Sequence, residues 1–425
     1  MTREEHKAKI LELSERKRRL LLRLATGVGK TSTALEILHK DYLFNKNLAN
    51  NLFPEVDVLI VVPKLVLISN WKDEMYKWFP DWEKWLHPTF TTYVSMFKHI
   101  GVAWDSIILD ECHHFTERCQ MFIEDSNYLR KNPNTRIIAL SGTVPKAARE
   151  RLFDTFSGLW SYTITAREAM DDKILPDPTV FFVKMTLDNS AIKHRYIKNP
   201  KKTEVIATSY NGRKALSRVK NKQVHILCTE AQYYEIATEE INYWSKYYKG
   251  THQPWAKNKW LYLAGERLKW LSLIKTGYVK EVILYYLKDV RLITFCSSIE
   301  QAVLLGLPSV HSGDDTSQYV LDKFNEGDMQ QITAIRMLDE GVNLAACQVG
   351  LFAGLNASTV IQSQRLGRLL RHKNPLIIIP YYVGTRDEEI IGKMMENYNP
   401  ELVKTMDSFE LKSNIENFLS NGVSD

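Results

Sequence analysis

Short apolar runs return at intervals along this chain, each followed by a stretch with helical periodicity, and no other feature constrains the fold as much. In a first block, residues 20–24, 56–62, 89–94, 107–109 and 136–140 read as strands, with helical patterns such as 31–39 and 66–78 between them. A second block repeats the scheme at residues 291–296, 332–338, 349–352 and 376–382. Strands that are apolar on both sides of the pleat are covered on both faces, and strands that alternate with helices run parallel. The pattern therefore predicts an α/β protein with two parallel-sheet domains in tandem. Residues 188–260 break the rhythm, first with a basic stretch and then with an aromatic-rich helical one. The expected division is a first domain over 1–187, a mainly helical basic insertion over 188–260, a second domain over 261–395 and a C-terminal tail over 396–425.

Composition sets the class. With 425 residues, 44% of them hydrophobic and 25% charged, the chain can bury a core in each of two or three domains and is neither disordered nor fibrous. No apolar run approaches the ~18 residues of a membrane span, and the N-terminus lacks the apolar region of a signal peptide. The expectation is a cytoplasmic or nuclear protein that is not secreted and has no membrane partner. Five cysteines, odd in number and mostly far apart, read as reduced thiols and not as a disulfide framework.

The net charge of +6 is unevenly placed. Residues 191–225 hold ten lysines and arginines against the single acid Glu204, a local +9 that leaves the rest of the chain at −3. Such concentration suggests a contact with a polyanion, with Lys198, Lys201, Lys202, Arg213 and Lys214 as candidate phosphate ligands, while a merely solvated loop stays open.

After the first strand comes Ala25-Thr26-Gly27-Val28-Gly29-Lys30-Thr31, at the start of a helical pattern. A phosphate loop needs glycines so that successive N–H groups face the anion, a lysine to neutralise terminal phosphates, and a hydroxyl for Mg²⁺. Gly27, Gly29, Lys30 and Thr31 supply these, although Leu24 stands where the general pattern has a glycine. At the end of the fourth strand lies Asp110-Glu111-Cys112-His113. Carboxylates at the C-terminal end of a parallel strand sit where open α/β sheets bind ligands. Asp110 is the candidate Mg²⁺ ligand with Thr31, and Glu111 the candidate base for an attacking water. Cys112, His113, His114 and Cys119 fit no common zinc spacing.

These two motifs, with Ser141-Gly142-Thr143 after the fifth strand and Gln364-Arg365-Leu366-Gly367-Arg368-Leu369-Leu370-Arg371 in the second block, resemble motifs I, II, III and VI of the DExH-type superfamily 2 helicases and translocases. Val62-Pro63-Lys64 leading to Asn70-Trp71 resembles motif Ia, Thr92 to Ser95 motif Ib, Leu292 to Cys296 motif IV, and Met337 to Asn343 motif V. The resemblance covers nearly all of residues 20–385 outside the insertion. It implies two RecA-like domains with ATP between them, Arg368 and Arg371 as arginine fingers, and Gln364 and Gly341 near the nucleotide. It further implies that His113, Ser141 and Thr143 couple hydrolysis to domain movement. The glutamine that contacts adenine in relatives has no clear counterpart, with His6 standing near its place, and Asn343 replaces a common aspartate. Residues 71–80 look like the Swi/Snf-type duplex translocases, whereas 364–373 is closer to phage and bacterial repair helicases. Trp71, Trp78, Trp82 and Trp85 read as packing residues before base-stacking ones.

The expectation is an ATP- and Mg²⁺-dependent motor on nucleic acid, DNA in the first place, acting as a monomer. Translocation coupled to strand separation or remodelling is the leading expectation, with duplex translocation without separation and action on RNA as the alternatives.

Overall fold

The computed structural model describes residues 1–47, 55–198, 209–210, 213–214, 224–311, 314–335, 344–356, 372–396 and 398–421. Two parallel sheets organise it, as the apolar runs predict. The first has six strands, β1 (Arg19–Leu24), β2 (Val56–Val62), β3 (Leu86–Thr92), β4 (Ser106–Leu109), β5 (Arg136–Ser141) and β6 (Trp160–Ile164). Their order is β3-β2-β4-β5-β1-β6 and every pairing is parallel. Val58, Ile60 and Val62 face one core layer while Leu59 and Val61 face the other, which is why β2 is an unbroken apolar run.

Strand order positions the chemistry. Because β1, β5 and β4 are neighbours, the loops leaving their C-terminal ends lie side by side, and these are the loops that begin at Ala25, Gly142 and Asp110. A buried ion pair fastens this domain from behind: Arg136, at the start of β5, donates to Asp41 through Nε and Nη2 at 2.5 and 2.7 Å and to the Ser14 carbonyl at 2.9 Å. The helix Arg3–Arg16 is thereby tied to the helix Lys30–Asn47 and to the sheet.

The chain leaves the first sheet earlier than expected. The strand β7 (Thr179–Met185) does not belong to the first domain, as a boundary at 187 requires, but pairs with β16 (Leu376–Tyr382) of the second sheet. An apolar strand carries no mark of which sheet it joins, since that choice rests on a partner far along the chain. The tail expected over 396–425 likewise supplies β17 (Val403–Asp407), which pairs with β7, and the helix Leu411–Asn421, whose Leu411 and Ile415 are buried in the second core.

The insertion begins with strands before it turns helical. In it β8 (His194–Lys198) pairs antiparallel with β11 (Val224–Cys228), and β9 (Ser209–Tyr210) with β10 (Arg213–Lys214). Two long helices follow, Glu230–Thr251 and Pro254–Ile274, the second running past the expected limit at 260. The second sheet is completed by β12 (Leu292–Phe295), β13 (Ser309–His311), β14 (Gln331–Ile335) and β15 (Val349–Phe352), in the order β13-β14-β12-β15-β16-β7-β17. All five cysteines are free and buried. Among the described residues no helix is long and apolar enough to cross a membrane.

Candidate active site

The loop after β1 owes its shape to two glycines. Gly27 and Gly29 have φ of +94° and +113°, and a Cβ at either would come within 3.0 Å of a neighbouring side chain. That backbone is strained for any other residue. It brings the chain directly into the helix Lys30–Asn47, with Thr33 Oγ1 donating to the Gly29 carbonyl at 2.8 Å. The N-terminal N–H groups of this 18-residue helix, with Lys30 and Thr31 on the cleft wall, make an anion-binding corner. Val28 is buried beneath it.

Across the corner, Glu111 is the centre of a network. Lys30 Nζ donates to Glu111 Oε1 at 2.8 Å, with both side chains 13% exposed. The Ser141 hydroxyl lies 3.0 Å from Glu111 Oε2 and 2.9 Å from the Thr143 carbonyl, and His113 Nδ1 is 3.1 Å from Ser141 Oγ and 3.4 Å from Glu111 Oε2. Glu111 itself adopts a left-handed backbone with φ of +45°, uncommon for a residue with a side chain and typical of functional turns. The structure thus brings Lys30, Glu111, His113, Ser141 and Thr143 together.

Three groups hold Asp110. The Trp71 indole N–H donates to Asp110 Oδ2 at 2.9 Å, the Glu111 N–H donates to Oδ1 at 3.0 Å, and the Tyr93 hydroxyl donates to the Asp110 carbonyl at 2.7 Å. Trp71 therefore does more than pack. It links the helix Leu67–Trp78 to the acidic pair, a role that the apolar pattern around it does not announce.

The two carboxyls are driven in opposite directions. Burial, reinforced by the charge of Glu111, pushes Asp110 up, against the pull of Lys30 and Trp71. Burial acts on Glu111 in the same sense, but the Lys30 charge and the hydrogen bonds of His113 and Lys30 outweigh it and hold Glu111 below the ordinary carboxylate range. Thr31 and Asp110 offer hard oxygen donors on one wall, a donor set that suits Mg²⁺, and each Asp110 oxygen keeps a lone pair beyond the hydrogen bond it accepts.

Of these residues Lys30, Thr31, Trp71, Asp110 and Glu111 line a cleft of about 850 Å³. Arg3 forms part of its wall and donates to the carbonyls of Gly27 and Ile174 at 3.3 and 3.4 Å. Ile174 to Asp177, on the segment between the two sheets, extend the wall, and Asp177 Oδ1 is buried there without a hydrogen-bond partner. From the second domain His372 and Lys373 face the same space. No motif points to Arg3 or the 174–177 segment. His6 is not on this wall: it is buried, with Nδ1 2.9 Å from the Tyr162 hydroxyl and Nε2 2.8 Å from Asp172, so the structure gives it a packing role. Gln364, Arg368, Arg371 and Gly341 lie outside the described residues, as do Lys201 and Lys202, while Lys198, Arg213 and Lys214 are described by backbone alone in β8 and β10.

Comparison with known proteins agrees with this arrangement. Residues 3–146 match the family described as the res subunit of type III restriction enzymes. Over 407 residues the chain is 23% identical to the DNA 3'-5' translocase XPB2 of Sulfurisphaera tokodaii, a match covering 92% of this chain and 84% of that protein. The Pyrococcus furiosus Hef helicase domain shares the fold with a TM-score of 0.52 at 16% identity, over 91% of this chain and 97% of its own. S. cerevisiae Dbp5, solved with RNA and ADP BeF3, shares it with a TM-score of 0.53 at 10% identity, over 95% and 88%.

Proposed function

We infer that the chain, a member of the superfamily 2 helicases and translocases, couples ATP hydrolysis to movement along DNA and to strand separation there. The observation that carries this reading is the Lys30–Glu111–Ser141–His113 network at the mouth of the first sheet, whose Lys30 and Glu111 share one cleft with His372 and Lys373 of the second domain. In this reading ATP lies between the domains, with its phosphates on Gly27 to Thr31.

Lys30 is paired with Glu111. Phosphate oxygens compete for the ammonium, and as Lys30 turns to them Glu111 loses the charge that holds its basicity down. The carboxylate, still positioned by Ser141 and His113, then takes the proton of the attacking water. Nucleotide binding thus creates the base that consumes it. Thr31 and Asp110 would hold Mg²⁺, which supplies charge neutralisation at the terminal phosphates. Arg368 and Arg371, just upstream of His372, complete the site as arginine fingers with Gln364 and Gly341 beside the nucleotide, so that hydrolysis waits for domain closure. Ser141 and Thr143, in contact with Glu111 through one hydroxyl, pass the state of the phosphate to the rest of the first domain. Lys198, Lys201, Lys202, Arg213 and Lys214 contact DNA phosphates.

A second reading, duplex translocation without strand separation, is favoured by one observation, the likeness to a protein named as a DNA translocase. Steady-state ATPase across single-stranded, duplex and forked DNA and RNA tests the first. Stimulation by DNA above RNA, with ATP-dependent separation of the fork, is expected. Stimulation by duplex without separation selects the second reading, and no stimulation by any nucleic acid overturns both.

A further inference from the structure

The hairpin of helices Glu230–Thr251 and Pro254–Ile274 is a stem with a chemically different tip. Its stem packs on the strands of the insertion, where Ile236 and Ala237 share a core with Tyr196, Ile226 and Cys228; Arg267 donates to Thr238 across the hairpin at 2.7 Å, and the Arg386 N–H of the second domain donates to the Tyr234 hydroxyl at 2.7 Å. Acidic residues are confined to this half, at Glu230, Glu235, Glu239, Glu240 and Glu266. From Asn242 to Tyr262 there is none, and four lysines, Lys246, Lys249, Lys257 and Lys259, stand without an ion pair among the described residues.

The same stretch carries seven aromatic residues. Some of them hold the helices together. Trp244 meets Trp255 edge to face at 5.7 Å, and Tyr248 stacks on Trp260 at 6.2 Å. Packing leaves the outer rings partly uncovered: Tyr247 and Trp255 touch each other at 5.5 Å and both touch Trp244, yet they stay 36% and 52% exposed, and Tyr262 is 60% exposed. Lys259 lies 5.6 Å from the Tyr262 ring centre, so cation and ring share one surface. A hairpin that needed only to be soluble would not gather unpaired cations around open rings while banishing acids to its base.

We propose that this tip is a second DNA contact, outside the cleft, that takes single-stranded DNA, with the lysines on phosphates and Tyr247, Trp255 and Tyr262 as stacking platforms for unpaired bases. The charge is complementary to a polyanion, and open ring faces distinguish the form: duplex bases are stacked on one another and offer none, whereas an unpaired base has a face to give. This inference rests on the DNA reading above. A tip of some 20 residues at the end of a helix that rises roughly 30 Å (~1.5 Å per residue) could hold a displaced strand clear of the motor.

The test uses the full chain and fluorescence anisotropy with labelled oligo-dT and a blunt duplex of equal length across a salt series. Two variants are compared with wild type, Tyr247→Ala/Trp255→Ala/Tyr262→Ala and Lys246→Ala/Lys249→Ala/Lys257→Ala/Lys259→Ala, and their unstimulated ATPase and melting temperature report on folding. The aromatic variant should lose oligo-dT affinity by about 5- to 150-fold per stacked base and keep duplex affinity within about twofold. In the lysine variant the slope of log K against log salt on oligo-dT should fall by about 0.7 per phosphate contact removed. Unchanged oligo-dT affinity and slope in both variants, while wild-type ATPase responds to DNA, overturns the tip contact and leaves the motor reading standing. Equal loss on duplex and oligo-dT in the aromatic variant overturns stacking. Wild type that neither binds nor responds to DNA overturns both readings. Single Trp255→Ala and Trp255→Phe variants, at an exposed position, repeat the comparison with less risk to folding: Phe should retain most of the oligo-dT affinity that Ala loses.

Discussion

Replacing Trp71 with Phe removes one hydrogen bond and leaves an aromatic ring in place. The lost contact is the 2.9 Å donation from the indole to Asp110 Oδ2, made by a side chain only 2% exposed. A buried hydrogen bond to a charged group contributes about 1.5–3 kcal/mol, or roughly a 10- to 150-fold change at 1.4 kcal/mol per decade. If Asp110 holds Mg²⁺ as proposed, that loss falls on the metal, because the carboxylate loses the side-chain donor that fixes its orientation. The half-saturating Mg²⁺ concentration for ATPase should rise about tenfold or more, in line with the ~10- to 100-fold effects of removing partners of metal ligands. Turnover at saturating Mg²⁺ should recover to within a few-fold of wild type. Mg²⁺ titrations of both ATPase and fluorescent ATP binding, with a thermal melt as a folding control, provide the assay. An unchanged Mg²⁺ midpoint in a folded Trp71→Phe protein would refute the assignment of the indole as the group that positions Asp110.

Lys30→Ala should weaken ATP binding, whereas Glu111→Gln should bind ATP and fail to hydrolyse it; equilibrium binding beside single-turnover hydrolysis separates them, and wild-type hydrolysis by Glu111→Gln excludes it as the base. Arg368→Ala should keep DNA affinity while losing ~10³- to 10⁵-fold in stimulated turnover. Arg368→Lys should not rescue it, since an ammonium lacks the planar fork, and near-normal turnover in either variant contradicts a nucleotide sandwiched between the domains. Arg136→Met strands Asp41, whose side chain is 21% exposed, and should cost about 3 kcal/mol, at the low end for breaking a buried pair; thermal unfolding reads it out, and an unshifted melt denies the pair its role.

Much of this site is legible in the sequence because its parts are local. A phosphate loop is strand, glycines, lysine and hydroxyl within a few residues, and Gly27, Gly29 and Lys30 stand as the pattern requires. What the chain order hides is pairing between distant segments. The strand β7 is apolar like its neighbours, yet its partner β16 lies nearly two hundred residues on, so the boundary at 187 falls in the wrong place. The wall of the cleft suffers in the same way: Arg3 meets Ile174, 171 residues further along, only once the first domain has folded. Trp71 was legible as buried but not as a hydrogen-bond donor, because apolar spacing reports the ring and says nothing of the N–H. His6 shows the converse, a residue at a suggestive distance from the loop whose two nitrogens are engaged by Tyr162 and Asp172.

Displacement of a labelled triplex-forming strand from duplex DNA, set beside unwinding of a fork, tests most directly whether hydrolysis drives movement. Wild-type protein with ATP should displace the third strand and open the fork, and Glu111→Gln, though bound to both ATP and DNA, should do neither. Displacement by Glu111→Gln at the wild-type rate, or none by a wild-type protein whose ATPase responds fully to DNA, would contradict the coupling of hydrolysis to movement.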